Sequence, residues 1–373
     1  AGAGFVAGWL YWYFWVVVIP VEAIAGSNLL HHWLPVPTWE IGLVLMAMMT
    51  AVNLLSAKSY GEFEFWFASI KVAAIIAFIA VTASYAFGFT APAGNTFSNL
   101  VSHGGFAPHS LVAALAVIAT AFFAMTGAEI TTIAAAESKE PGRAIAQMSR
   151  SVVVRILAFY VCSLALIVSV VPWTEIKAGE SPFTLAMVTV GLHGASKIMS
   201  VIILTAVLSC LNSSFYVCSR VLFVLAEHRD APQWLVKLNV RHVPTRSVLI
   251  GAVAGVLGIL ANSISPNGLF AFLVNAGGAL ILFVYIMTAL AQIRLRRARQ
   301  RAGQSEAGLS MWWFPWASYF AIAGMVTVLV AMVMDPDLAS QLYVSLIPLA
   351  AAVLAYGLLR LWRSRQPGSR RAP

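Results

Sequence analysis

Apolar runs long enough to cross a bilayer recur along almost the whole of this chain, and that one feature decides most of what it can fold into. Hydropathy places them at about 5–30, 38–56, 63–88, 110–136, 150–171, 197–226, 246–263, 268–292, 312–334 and 340–361. A helix that crosses the hydrocarbon core takes about 20 apolar residues. None of the runs alternates with the period of a strand. They are therefore read as helices, which satisfy their own backbone hydrogen bonds where water is absent. Composition agrees: 60% of the 373 residues are hydrophobic and 10% are charged, against about 45–50% and about 25% in a soluble domain. Too few polar residues remain to cover a globule of this size in water, so the fold class is an all-α polytopic membrane bundle.

The net charge of +9 points first to nucleic acid, but the positions of the charges point elsewhere. With the loop at 31–39 outside, the cytoplasmic side receives Lys58, Lys139, Arg143, Arg150, Arg155, Arg220, Arg229, Lys237, Arg241, Arg246, Arg294, Arg296, Arg297, Arg299, Arg301, Arg360, Arg363, Arg365, Arg370 and Arg371, which is 20 of the 23 Lys and Arg. Lys177 and Lys197 fall outside, and Lys71 lies within a span. That split follows the positive-inside rule and puts both ends of the chain in the cytoplasm. The cluster Arg294–Arg301 reads as a solvated loop near anionic headgroups. Nucleic acid is not an expected partner; the lipid bilayer is.

The three cysteines, Cys162, Cys210 and Cys218, all lie in apolar runs, without a CxxC or a Cys/His cluster. They read as small core residues, so neither a disulfide framework nor a metal is expected. Gly2-x-Gly4 runs straight into Gly8-Trp9-Leu10-Tyr11-Trp12 with no strand before it, which excludes a phosphate loop. The aromatic residues of that stretch, and Trp312, Trp313 and Trp316, read as interfacial belts and packing.

Ionisable groups inside a span are expensive and are therefore candidates for function. Lys71 stands about eight residues into its run, roughly 12 Å along a helix. It is either a lysine stretched to the interface or a buried amine that exchanges a proton. Glu22, in Ile19-Pro20-Val21-Glu22-Ala23, is either proton-linked or a structural hydrogen-bonding group. Glu129 follows Thr126-Gly127-Ala128. Gly127 marks either close helix packing or a break whose exposed half-helix ends bind a zwitterion. Asn212, Ser213 and Ser214, and Asn275 with Gly277 and Gly278, either line a cavity or bond between helices.

These residues also carry a resemblance. Gly8-Trp9-Leu10-Tyr11-Trp12, Tyr60-Gly61-Glu62-Phe63-Glu64-Phe65-Trp66 with Ile70-Lys71-Val72, Gly127-Ala128-Glu129 with Ile133-Ala134-Ala135-Ala136-Glu137-Ser138, Ser209-Cys210-Leu211-Asn212-Ser213, Asp230-Ala231-Pro232 and Leu273-Val274-Asn275 resemble, in order and spacing, the amino acid–polyamine–organocation superfamily. The closest branch is the bacterial amino-acid permeases. The resemblance implies twelve helices built on an inverted five-plus-five repeat. Residues 1–373 would form a single permease domain of helices three to twelve, with the first two absent, so the chain by itself is not expected to transport. It implies that Phe123 is the gating aromatic of the sixth helix, that Thr126, Gly127 and Glu129 lie at its unwound stretch, and that Lys71 stands where sodium-coupled relatives bind a cation. With Asn212, Ser213 and Asn275 these form the expected substrate site, and Lys71 with Glu22 the expected proton-coupling site.

The function expected is therefore import of an amino acid with protons across the bacterial cytoplasmic membrane. γ-Aminobutyrate stands first, with proline, aromatic and D-serine/alanine/glycine substrates as alternatives. No cofactor is implied. A channel would need a ring of like charge or a carbonyl filter, and an intramembrane enzyme a nucleophile–base pair or metal ligands; the sequence carries neither pattern.

Overall fold

A computed structural model describes residues 2–55, 57–90, 96–105, 108–130, 147–148, 151–177, 180–265, 268–303, 311 and 313–365. Its main helices are α1 (Gly2–His31), α2 (Thr38–Leu55), α3 (Ala57–Ala86), α4 (Leu111–Met125), α5 (Ser151–Val170), α6 (His193–Glu227), α7 (Thr245–Ile264), α8 (Leu269–Arg301), α9 (Trp316–Met334) and α10 (Pro336–Arg365). Among the described residues nine helices are long and apolar enough to cross a membrane, and α4 is a shorter apolar helix. The predicted fourth span, 110–136, thus holds a helix that stops at Met125; residues 131–136 lie outside the described residues. So do Ile133–Ser138 of the family pattern, Trp312, and Lys139, Arg143, Arg150, Arg370 and Arg371 of the charge pattern.

The helix α1 is the hub. It packs against α2, α6, α7, α8 and α10. Phe5, Leu10, Phe14, Trp15, Val18, Ile19, Val21 and Ile24 are all buried, so most of its apolar surface is covered. The aromatic stretch predicted as a belt is accordingly mostly packing: Phe14 and Trp15 are in the core, and Trp9 donates its indole N–H to the Asp230 carbonyl at 3.1 Å. Trp313 and Trp316, by contrast, are largely exposed. A second cluster joins α3 to α5 through Phe78, Leu166, Ile167 and Val170. A third joins α4, α8 and α9 through Ala119, Ala279, Leu282 and Met325.

Two glycines set how closely these helices approach. A Cβ on Gly258 of α7 would fall 2.3 Å from Cβ of Pro20, so the bare glycine makes room for the ring that interrupts the hydrogen-bond ladder of α1. A Cβ on Gly278 of α8 would fall 2.2 Å from the carbonyl oxygen of Ala119 in α4. That backbone-to-backbone approach is the kind small residues allow in bilayers.

The structure corrects several expectations. Arg294–Arg301 is not a loop: α8 continues to Arg301. Arginine, alanine, leucine and glutamine are strong helix formers, and cations are favourable at a helix C-terminus. Arg297 is held by the Tyr319 hydroxyl at 2.7 Å, and the Arg296 guanidinium lies 4.1 Å from the Phe314 ring centroid. Cys162 is exposed and so is not a core residue, whereas Cys218 is buried. The helix α3 begins at Ala57, earlier than the predicted 63, because helical backbone persists past the apolar boundary.

The Gly278 contact is testable. Gly278→Ala should destabilise the purified protein by about 1–3 kcal/mol, because the obstacle is a backbone carbonyl that cannot rotate away. Gly324→Ala, in α9 with nothing within 4 Å of its added Cβ, should not lower the melting temperature. Equal melting temperatures for the two variants would show that α4 and α8 separate without penalty.

Candidate functional site

The apolar run of α4 ends where the sequence turns from Phe-Phe-Ala-Met to Thr-Gly-Ala-Glu. Thr126 leaves the helix with an extended backbone, and its N–H still reaches the Phe122 and Phe123 carbonyls at 3.1 and 3.2 Å. Its hydroxyl donates to the Phe122 carbonyl at 2.8 Å. Gly127 then takes φ +109°, a region that side chains disfavour. The backbone turns through 127–129, and the Ile130 N–H returns to the Gly127 carbonyl at 3.1 Å.

One carboxylate organises this break. Glu129 accepts from the Gly127 N–H at 2.9 Å, from the Tyr11 hydroxyl of α1 at 2.9 Å and from the Tyr285 hydroxyl of α8 at 3.2 Å. Three donors from three parts of the chain thus meet one half-buried carboxyl group inside the bundle, which is how such a group is tolerated there. The residues Tyr11 and Tyr285 were not singled out from the sequence.

Phe123 lies against the hub. Its ring centroid is 5.5 Å from that of Phe14, and a Cβ on Gly277 would sit 2.8 Å from its ring. The glycine of α8 therefore makes the space that Phe123 fills. The two suspected asparagines are engaged between helices: the Asn53 amide donates to Asn212 Oδ1 at 2.8 Å, and the Thr120 hydroxyl to Asn275 Oδ1 at 2.6 Å. Ser213 is half-buried on α6 beside Asn212.

A second polar cluster forms where α1, α3 and α6 meet. Lys71 Nζ donates to Ser209 Oγ at 2.7 Å, Ser209 Oγ donates to Glu64 Oε1 at 2.5 Å, and Lys71 lies 3.6 Å from Glu64 Oε1. Glu22 of α1 is in hydrogen-bond reach of the Cys210 thiol and within the field of Lys71. The sequence reading singled out Lys71 and Glu22 but not Glu64 or Ser209. Glu64 sits near the edge of the apolar run, where a carboxylate is unremarkable, and its meeting with Lys71 depends on how both side chains fold back along α3.

An apolar cavity of about 520 Å³ runs from Lys71 to the end of α4. Ile75 and Phe78 of α3, Phe159 and Tyr160 of α5 and Ile202 of α6 line it, with Lys71 on one side and Ala124, at the end of α4, on another. Tyr160 spans part of it, donating to the Ala124 carbonyl at 3.3 Å. It belongs to a π-helical segment, Ile156–Val161, a distortion often found at functional sites. Among the described residues no group of His, Cys, Asp and Glu is arranged to hold a metal ion.

The carboxylate hub gives a direct test. Tyr11→Phe and Tyr285→Phe each remove one donor from Glu129, and a hydrogen bond to such a group contributes about 1–3 kcal/mol. Each should lower the melting temperature in detergent, and the double variant by less than the sum if Glu129 relaxes once freed. Unchanged melting of both single variants would mean that the carboxylate is not held as described.

Comparison with known proteins follows the same lines. The amino acid permease family model matches residues 1–367. The γ-aminobutyric acid permease of Bacillus subtilis (strain 168) is 39% identical over 362 residues, covering 96% of this chain and 77% of that protein. The γ-aminobutyric acid permease of Escherichia coli (strain K12) is 40% identical over 96% of this chain and 76% of its own length. The aromatic amino acid transport protein AroP of Salmonella typhimurium (strain SL1344) is 36% identical over 96% of this chain and 78% of its own length. The match runs through α1, the break after Met125 and the Lys71 cluster alike, so the chain belongs to the amino acid permease family: it is a multi-pass membrane transporter and not an enzyme.

Proposed function

We propose that this permease imports an amino acid or amino-acid-like solute together with protons, with γ-aminobutyrate its first substrate. The observation that carries the proton-coupled reading is Lys71, an ammonium set within a membrane-spanning helix and tied to Ser209 and Glu64. An amine in that position can alternate between charged and neutral states, and its charge can bias which way the bundle faces. The substrate reading rests on the relatives: two γ-aminobutyric acid permeases at 39 and 40% identity stand only slightly nearer than an aromatic amino acid transporter at 36%.

The substrate site in this reading lies along the break after Met125. Phe123 covers it, and Thr126 and Gly127 present backbone to it. Glu129 holds the stretch against α1 and α8. Asn212, Ser213 and Asn275 supply polar contacts when their interhelical bonds rearrange, and Glu22 assists Lys71. Transport follows alternating access about this level of the membrane. The reading also takes the spans as helices three to twelve of a twelve-helix fold, with the Arg- and Lys-rich segments and both ends of the chain in the cytoplasm.

Two measurements on the full-length transporter test it. In a competition screen, unlabelled γ-aminobutyrate should displace labelled γ-aminobutyrate more effectively than proline, phenylalanine or alanine does. Stronger displacement by phenylalanine would move the protein to the aromatic branch. Gly127→Leu places a side chain on a positive φ and should lower uptake by about tenfold or more while the protein still reaches the membrane. Unchanged apparent affinity in that variant would reduce Gly127 to packing.

A further inference from the structure

Glu64 and Ser209 are the groups the functional reading leaves without a part. Lys71 and Glu64 are seven residues apart on α3, roughly 10 Å along the axis. Their side chains nevertheless fold together so that one hydroxyl, from Ser209 of α6, lies between them. That hydroxyl accepts from the ammonium at 2.7 Å and donates to the carboxylate at 2.5 Å. It is therefore already oriented along a single direction, from nitrogen to carboxylate. Ser209 itself is buried, while Lys71 and Glu64 are about a third and a quarter exposed. Glu64 Oε2 is buried with no hydrogen-bond partner among the described residues, so the carboxylate has unused acceptor capacity.

We propose that Lys71, Ser209 and Glu64 form a three-member proton path, with Glu64 receiving the proton that Lys71 gives up. In the step, the Lys71 ammonium passes a proton to Ser209 Oγ while the Ser209 hydroxyl proton passes to Glu64 Oε1. A neutral amine and a carboxylic acid result, Ser209 is regenerated, and charge is conserved. Glu64 then releases the proton toward the Ala57 end of α3, the end assigned to the cytoplasm. The exchange suits a low-dielectric setting, where an ion pair and its neutralised form lie close in free energy because burial penalises both charges. The groups facing the pair are Glu22 of α1, Cys210 of α6 and, across the cavity, Tyr160 of α5. Glu22 is the second carboxylate in the field of Lys71, and it belongs to a different helix from the path.

The proposal deepens the reading of Lys71 as the proton-coupling group and rests on it, so the experiment separates the two. The full-length transporter is reconstituted in proteoliposomes. Accumulation of labelled γ-aminobutyrate driven by a pH gradient is compared with substrate exchange at equilibrium, which needs no net proton release. Ser209→Ala, which keeps both charges but removes the link, and Glu64→Gln, which removes the acceptor, should each lower driven accumulation by about tenfold or more. Exchange should stay within about twofold, because no step of exchange crosses the path. Normal driven accumulation in either variant overturns the path. Loss of exchange together with accumulation in both variants assigns the two residues a structural role only and also overturns it. Lys71→Ala separates the levels: if it still accumulates substrate uphill, the proton reading of Lys71 itself fails; if it does not, while Ser209→Ala and Glu64→Gln do, only the path fails.

Discussion

The Glu129 carboxylate is the interaction on which the rest of the arrangement depends. A bilayer offers no water to a helix that stops in its middle, so the end of α4 is tolerable only if its backbone turns are met from within the bundle. Glu129 meets the Gly127 N–H and is in turn held by hydroxyls from α1 and α8. The group that stabilises the break thus also ties it to the hub helix and to the helix that carries Gly277 and Gly278. A carboxylate so placed is a joint between parts of the bundle, and any movement of the broken stretch must exchange those three bonds for others.

The hub makes the joint rigid on one side. The helix α1 is packed by five others, and most of its bulky residues are buried among them. Phe14 and Phe123 meet ring to ring at a tilt where the hub meets α4, and Gly278 brings α4 and α8 within backbone contact. The region around Lys71 is built differently. There α3, α5 and α6 line an apolar cavity, with Lys71 on the α3 wall and Tyr160 and Ser163 on the α5 wall. A packed side and an open side meeting at the broken helix is an arrangement suited to a transporter that alternates its access.

Much of this was legible from the chain itself. Hydropathy located nine of the spanning helices, because helix length and apolar composition are imposed by the bilayer and leave little to tertiary context. The break beyond Met125 was legible as the alternative to packing at Gly127, since only glycine enters φ +109° freely. What did not show was partnership. Tyr11, Tyr285, Ser209 and Glu64 come from distant parts of the chain, and each is an ordinary residue for its segment until the fold brings it to Glu129 or Lys71. Arg294–Arg301 was misread for the opposite reason: charge suggested a loop, but the helix propensity of the same residues carries α8 past the apolar boundary. Cys162 likewise has an apolar neighbourhood in sequence and an exposed position in space.

Membership of the amino acid permease family fixes the class of activity, and Lys71 is the feature that bears on its energy source. In the proposed reading, Lys71 stands where a bound metal cation would otherwise sit and repels one by like charge. The most direct measurement of the central claim is therefore uptake by the full-length transporter in proteoliposomes under one imposed gradient at a time. The account predicts uphill accumulation of γ-aminobutyrate when the lumen is made alkaline in sodium-free buffer, with alkalinity lost from the lumen as substrate enters. Accumulation driven by a sodium gradient at equal pH on both sides, with no proton movement, would contradict it.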